Sequence, residues 1–287
     1  MEAMLDEKAA ARFLRPCDRL HASCSAPTFR GTAPSPGLDR RVTASPSASV
    51  SRPARPWVFT ALGAVTLLAV LIGFGRTYAV PMAAGSFTAP FVVHLHGALA
   101  LAWILLFLAQ PLLVRAGRVR WHRTVGQVGL PVAVGVAVTM VPAGMAQVAR
   151  DVAAGGGATA VSSILGVVTS ALMFVALVMA GIVTRRNREA HARWLLLATL
   201  VVAWPAWFRW RHYFPGVPRP EIWFALVAAD VWIVVAMVRD RLVRGAVHPV
   251  LAWGGAAVIV EHALEAIAFD SAPWRSVAQW VHALLGG

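Results

Sequence analysis

Between Trp57 and Gly75 the chain runs for a full apolar stretch without one charged residue. Such a segment is long enough for the ~20 residues needed to cross the ~30 Å hydrocarbon core of a bilayer. Three more follow, Phe91–Val114, Thr124–Ala149 and Ala158–Thr184, separated by short polar turns. In lipid every backbone N–H and C=O must be satisfied within the protein, which leaves helices or a closed barrel. The apolar residues come in continuous runs rather than in alternation, so helices are expected. Composition agrees: 58% of residues are hydrophobic and only 14% charged, well away from soluble averages.

Three further runs are less clean. Trp194–Phe208 is short and must borrow length from His191 and Arg209. Ile222–Val238 contains Asp230, and Val250–Phe269 contains Glu261, His262 and Glu265. A charge at a helix centre costs about 2.5–3.5 kcal/mol on insertion scales, partly offset here by neighbouring Leu, Ile, Val and Trp. The expectation is an all-α polytopic transmembrane bundle over residues 57–270, with seven spans and six as the fallback. Residues 271–287 place Trp274, Val277, Trp280, Val281, Leu284 and Leu285 at helical spacing, which reads as an amphipathic interfacial helix.

Residues 1–56 read differently. Proline and serine alternate through Pro34, Pro36, Ser45, Pro46, Ser47 and Pro53 with no apolar period, so a disordered tail is expected, with a short helix over residues 2–14. The stretch lacks the apolar region of a signal peptide. Both cysteines, Cys17 and Cys24, fall there, leaving no thiolate chemistry for the bundle.

The net charge of +13 raises the question of nucleic acid, but the arginines cluster in turns between apolar runs rather than along one soluble face. One set of turns holds Arg115, Arg118, Arg120 and Arg123, then Arg185, Arg186, Arg188 and Arg193, then Arg239, Arg241 and Arg244, against only Glu189 and Asp240. The other set balances its arginines with acids. By the positive-inside rule the tail is cytoplasmic and the C-terminal end lies outside. The Arg209–Arg219 turn argues the other way.

Ionisable residues inside a membrane are the first place to look for function. His94, His96, His262 and Glu265 fall near the outer helix ends, with Asp230 somewhat deeper, while His122, His191 and His248 start helices at the inner end. His94 and His96 point about 200° apart on a regular helix, so both cannot face one ligand. Glu261, His262 and Glu265 form an EHxxE pattern that resembles half a carboxylate-bridged metal site, but no second half is present, and no metal centre is expected. Paired histidines on facing helices would instead hold a b-type haem, the outer pair from His94 or His96 with His262, the inner from His122 with His191. A bland reading, interface anchoring beside arginines, stands equally open for His122, His191 and His248. Another makes His262, with Asp230, Glu261 and Glu265, part of a proton or ion pathway in a small transporter. A third is a non-catalytic assembly factor.

The segments HLHG (from His94), Trp103, Phe107 and Gln110, WHRTVG (from Trp121), EAHARWLLLAT (from Glu189) and VHPVLAWGG (from Val247) resemble a group of uncharacterised bacterial integral membrane proteins. These carry an H-x-HG helix, an HR-x-LG turn and an H-K-R-L-M-L-L-A-T helix start. The likeness covers residues 90–255 and departs at Ala192 and Trp194, where lysine and leucine are usual. Distant look-alikes are four-histidine proteins tied to respiratory oxidase assembly and b561-type cytochromes. The resemblance implies a bacterial cytoplasmic-membrane protein near respiratory-chain components, and by analogy a haem.

Overall fold

A computed structural model of the chain describes residues 57–286. The expected tail, its short helix and Cys17 and Cys24 lie outside the described residues. The protein is 87% helix with no strand among the described residues, which decides for a helical bundle over a barrel. Helix α1 (Val58–Phe74) passes through a π-helical turn, Gly75–Ala79, into the short α2 (Val80–Ala83). Pro90, in extended backbone, stands at the start of α3 (Phe91–Arg115). Gly117, at φ +75°, turns the chain into α4 (Val119–Asp151), and α3 and α4 pack along each other as a hairpin. A second reversal uses Gly155 (φ +91°) and Gly157 (φ +54°), a backbone region that glycine enters at little cost, and leads into α5 (Gly157–Val183).

Helix α6 (Arg188–Phe208) starts six residues before the apolar run that announces it in the sequence, Trp194–Phe208. The Asn187 side chain accepts from the backbone N–H of Glu189 (3.1 Å) and Ala190 (3.2 Å), an N-cap worth about 1 kcal/mol. A π-helical segment, Glu221–Val227, leads into α7 (Ala228–Arg244), and another, Val250–Gly255, into α8 (Ala256–Ala268). The expected amphipathic helix is α9 (Ala272–Leu284), which lies against α5.

Five helical runs are long and apolar enough to cross a membrane: Val58–Ala83, Phe91–Arg115, Val119–Val183, Glu221–Arg244 and Val250–Ala268. The third contains both α4 and α5, folded back on each other at Gly155. Helix α6 is not among the five, and its place in the bundle explains its composition. It packs against α1, α3, α5 and α7, and encloses Leu196, Leu197, Ala198, Leu200, Val201 and Ala206. A helix whose neighbours are protein can carry charge in its first turns and indoles in its last. Gly73 makes the closest approach possible: a Cβ there would run into the Ala206 backbone.

The interior is tied by Trp103, whose ring meets Phe174 edge-on at 5.3 Å and whose indole N–H donates to Thr199 Oγ1 at 3.2 Å. The outer surface is apolar in turn: Leu105, Val138, Leu172, Trp253 and Ile267 are exposed. So much uncovered hydrocarbon on long apolar helices fits a protein embedded in lipid.

Candidate functional site

Where α6, α7 and α8 meet, four ionisable side chains gather inside the bundle. His262 on α8 is fully buried, and its Nδ1 pairs with Asp230 Oδ1 on α7 at 2.7 Å. Asp230 is itself buried. The sequence sets Asp230 somewhat deeper than His262; the antiparallel packing of the two segments joins them. Glu261 lies beside the ring, with Oε2 3.6 Å from His262 Nε2, too long for a direct hydrogen bond. Glu265, one turn further along α8, presses its carboxyl group against Gly166 of α5, where a Cβ would collide with it. The small residue at position 166 of α5 therefore admits a carboxylate side chain.

Polar atoms in this region stand without partners. Asp230 Oδ2, both carboxylate oxygens of Glu261, His262 Nε2 and Glu265 Oε2 are buried and make no hydrogen bond. The indole nitrogens of Trp204, Trp207 and Trp232 are in the same condition. Trp204 packs its ring 5.9 Å from His262, and Trp207 stacks on Trp232 at 5.9 Å. Buried polar atoms are nearly always paired, so a cluster of unpaired acceptors beside unpaired donors requires an explanation beyond packing.

The other histidines are distributed. His94 Nδ1 pairs with the Tyr78 hydroxyl (2.7 Å), with Phe87 against its ring. His96 Nδ1 pairs with Thr139 Oγ1 on α4 (3.0 Å), so the two go different ways from α3. The structure does not bring either to His262: no hydrogen bond or ring contact joins them, and α3 packs on α1, α4 and α6. At the opposite end, His191 Nδ1 donates to the Gly181 carbonyl at 2.8 Å. Gln110, with its amide nitrogen turned toward His122, donates to His122 Nδ1 and to the His122 carbonyl (3.1 Å), fastening the α3–α4 hairpin. His122 and His191 lie within electrostatic range of each other. His248 Nδ1 accepts from the Val250 N–H (3.1 Å), starting the helical run of α8. Burial first, then the charges of Arg193 and Arg244, push its imidazole below the usual histidine range.

One site went unread in the sequence. Arg193 and Asp240 appear there as loop charges, yet both are buried. Arg193 forks onto Asp240 through Nε (2.8 Å) and Nη2 (2.7 Å), and its Nη1 donates to the Glu189 carbonyl and carboxylate, each at 3.0 Å. Arg239 and Arg244 close the network on Asp240 and Glu189. The available signal was Glu189 four residues before Arg193, a helical ion-pair spacing that moves the helix start outward. No family model, curated protein or solved structure matches the chain.

Proposed function

We propose that the chain is a seven-span integral membrane protein that transfers protons through the α6–α7–α8 cluster. The spans are Val58–Ala83, α3, α4, α5, α6, Glu221–Arg244 and Val250–Ala268, with the arginine-rich turns in the cytoplasm and α9 on the outer surface. The motif resemblance supports a bacterial cytoplasmic membrane as its location. The observation that carries the reading is the set of unpartnered buried atoms on Asp230, Glu261, His262 and Glu265.

An imidazole can accept a proton at one nitrogen and release another from the second. A proton arriving from Glu265 or Glu261 binds at His262 Nε2, and the Nδ1 proton leaves to Asp230 Oδ1, 2.7 Å away. The 3.6 Å gap at Nε2 is closed by a small rotation of Glu261 or by one bridging water. Proteoliposomes enclosing a pH-sensitive dye test the idea. Asp230→Asn is expected to cut proton flux about 100-fold, the lower range for loss of a proton-transfer group. Flux no greater than in empty liposomes, or unchanged by Asp230→Asn, rejects the proposal.

A second reading, haem b near the respiratory chain, is favoured by one observation at the inner end. His122 accepts from Gln110 at Nδ1 and keeps its proton on Nε2 until that bond is given up, while His191 donates its Nδ1–H to the Gly181 carbonyl, which leaves the Nε2 lone pair available. Metal-ligating histidines are oriented in this way by their outer partners. A haem held there would supply one-electron chemistry. Protein made with haem supplied should then show a Soret band and a dithionite-reducible α-band, lost in His191→Ala. A featureless spectrum ends this reading and leaves the proton relay standing.

A further inference from the structure

At the end of the bundle away from the α3–α4 turn, Arg150 and Arg211 lie within electrostatic range of Arg209, and neither reading has a use for the three. Arg150 ends α4, and Arg209 and Arg211 lie in the short helical turn Arg209–His212 that follows α6. All three are half-buried. Each lies over an aromatic ring: Arg150 over Phe87 (5.0 Å to the centroid), Arg209 over Phe74 (4.2 Å) and Arg211 over Phe208 (3.9 Å). Each also gives one N–H group to an acceptor of its own helix end. Arg150 donates to Gln147 Oε1, Arg209 to the Pro205 carbonyl (3.0 Å) and Arg211 to the Phe208 carbonyl (3.1 Å). A guanidinium has five N–H donors, so most of them remain uncommitted.

Capping of helix ends accounts for one bond each, and it does not account for three like charges within range of one another. Burial, then repulsion from Arg211 and Arg150, pushes the Arg209 guanidinium down to about 10. The carboxylate within range is Asp151, but its Oδ1 is taken by Gln147 Nε2 at 2.7 Å, and it forms no ion pair with an arginine. Other acids at this end are already matched, Asp270 with Arg275 and Glu221 with Arg219. Three positive groups held in place by aromatic faces, with donors to spare and no paired carboxylate, form a receptor for negative charge.

We propose that Arg150, Arg209 and Arg211 form a binding site for a phosphate-type oxyanion. The site takes either a free phosphate-bearing solute or the phosphodiester of a lipid headgroup, since both present tetrahedral oxygens to forked N–H donors. It is separate from the proton cluster and stands or falls without it.

The full chain in neutral detergent is titrated with inorganic phosphate in a calorimeter. In parallel, nanodiscs of phosphatidylcholine with or without phosphatidylglycerol are compared for retained lipid by native mass spectrometry. Saturable phosphate binding, weakened about tenfold or more by Arg150→Gln and by Arg209→Gln but not by Arg186→Gln at the opposite end, supports a free anion. Selective retention of phosphatidylglycerol, lost in the same two variants, supports the headgroup. Binding of neither probe overturns the site, as does binding that Arg150→Gln and Arg209→Gln leave unchanged or that Arg186→Gln weakens equally. Arg209 is wedged on Phe74, so if Arg209→Gln does not fold, Arg150→Gln with Arg211→Lys decides. The lysine keeps the charge but loses the fork, and should weaken binding less than Arg150→Gln.

Discussion

Arg193 is a cation enclosed by protein, and its surroundings supply every contact it needs: a forked carboxylate, a backbone carbonyl and a second carboxylate. Taking both charges of the Arg193–Asp240 pair out of water is expensive, and their attraction repays that only while both are present. Asp240→Ala is therefore expected to destabilise the fold by about 3–5 kcal/mol, because it strands a buried guanidinium. The double variant Arg193→Met with Asp240→Leu should cost much less. Reversible unfolding in detergent measures both, and equal losses in the single and double variants would show that the pair does not act as a unit. At this scale the sequence is unevenly legible. Asp230 and His262 stood out because a charge in an apolar run is conspicuous. Arg193 and Asp240 did not, because each sits among other charges at a helix end, where burial leaves no mark on composition.

Among the elements, α5 decides where Glu265 can be. The carboxyl group of Glu265 occupies the space that a side chain at position 166 would fill, so the glycine is part of the site although it carries no chemistry. Gly166→Ala should displace Glu265 and lower proton flux in liposomes, while a helix-favouring methyl group keeps the fold intact. Wild-type flux in this variant would mean that Glu265 is not needed where it lies. The long apolar helices were legible from length and hydropathy alone, since their solvent is lipid and their period is set by the bilayer. One boundary was not: the start of α6 is a polar first turn in which Arg188 and Glu189 are exposed and Arg193 is buried. The runs from Ile222 and Val250 begin within one residue of the helical segments Glu221–Val227 and Val250–Gly255, but the π-helical geometry of those segments has no counterpart in apolar period. Small residues such as Ser162, Gly166 and Ser170 on α5 do not say by themselves whether a helix or a carboxylate fills the gap.

As a whole, the bundle turns hydrocarbon outward and, among the described residues, gathers its buried ionisable groups into the Asp230–His262–Glu265 cluster and the Arg193–Asp240 network. Grouping the histidines by depth puts His122 and His191 at one level, where they lie within electrostatic range, yet depth is one coordinate of three. Which helices stand side by side fixes the rest, and that follows from close approaches such as Gly73 on Ala206. The order of the helices along the chain adds a dimension of time to the Arg193–Asp240 pair. The two residues are 47 positions apart, so at 5–20 residues per second Asp240 is made roughly 2–10 s after Arg193. Of its partners, those already made in that interval are Glu189, four residues earlier on its own helix, and the Phe59 ring of α1. The helix at the middle of the finished bundle thus completes its buried ion pair only once α7 has been made.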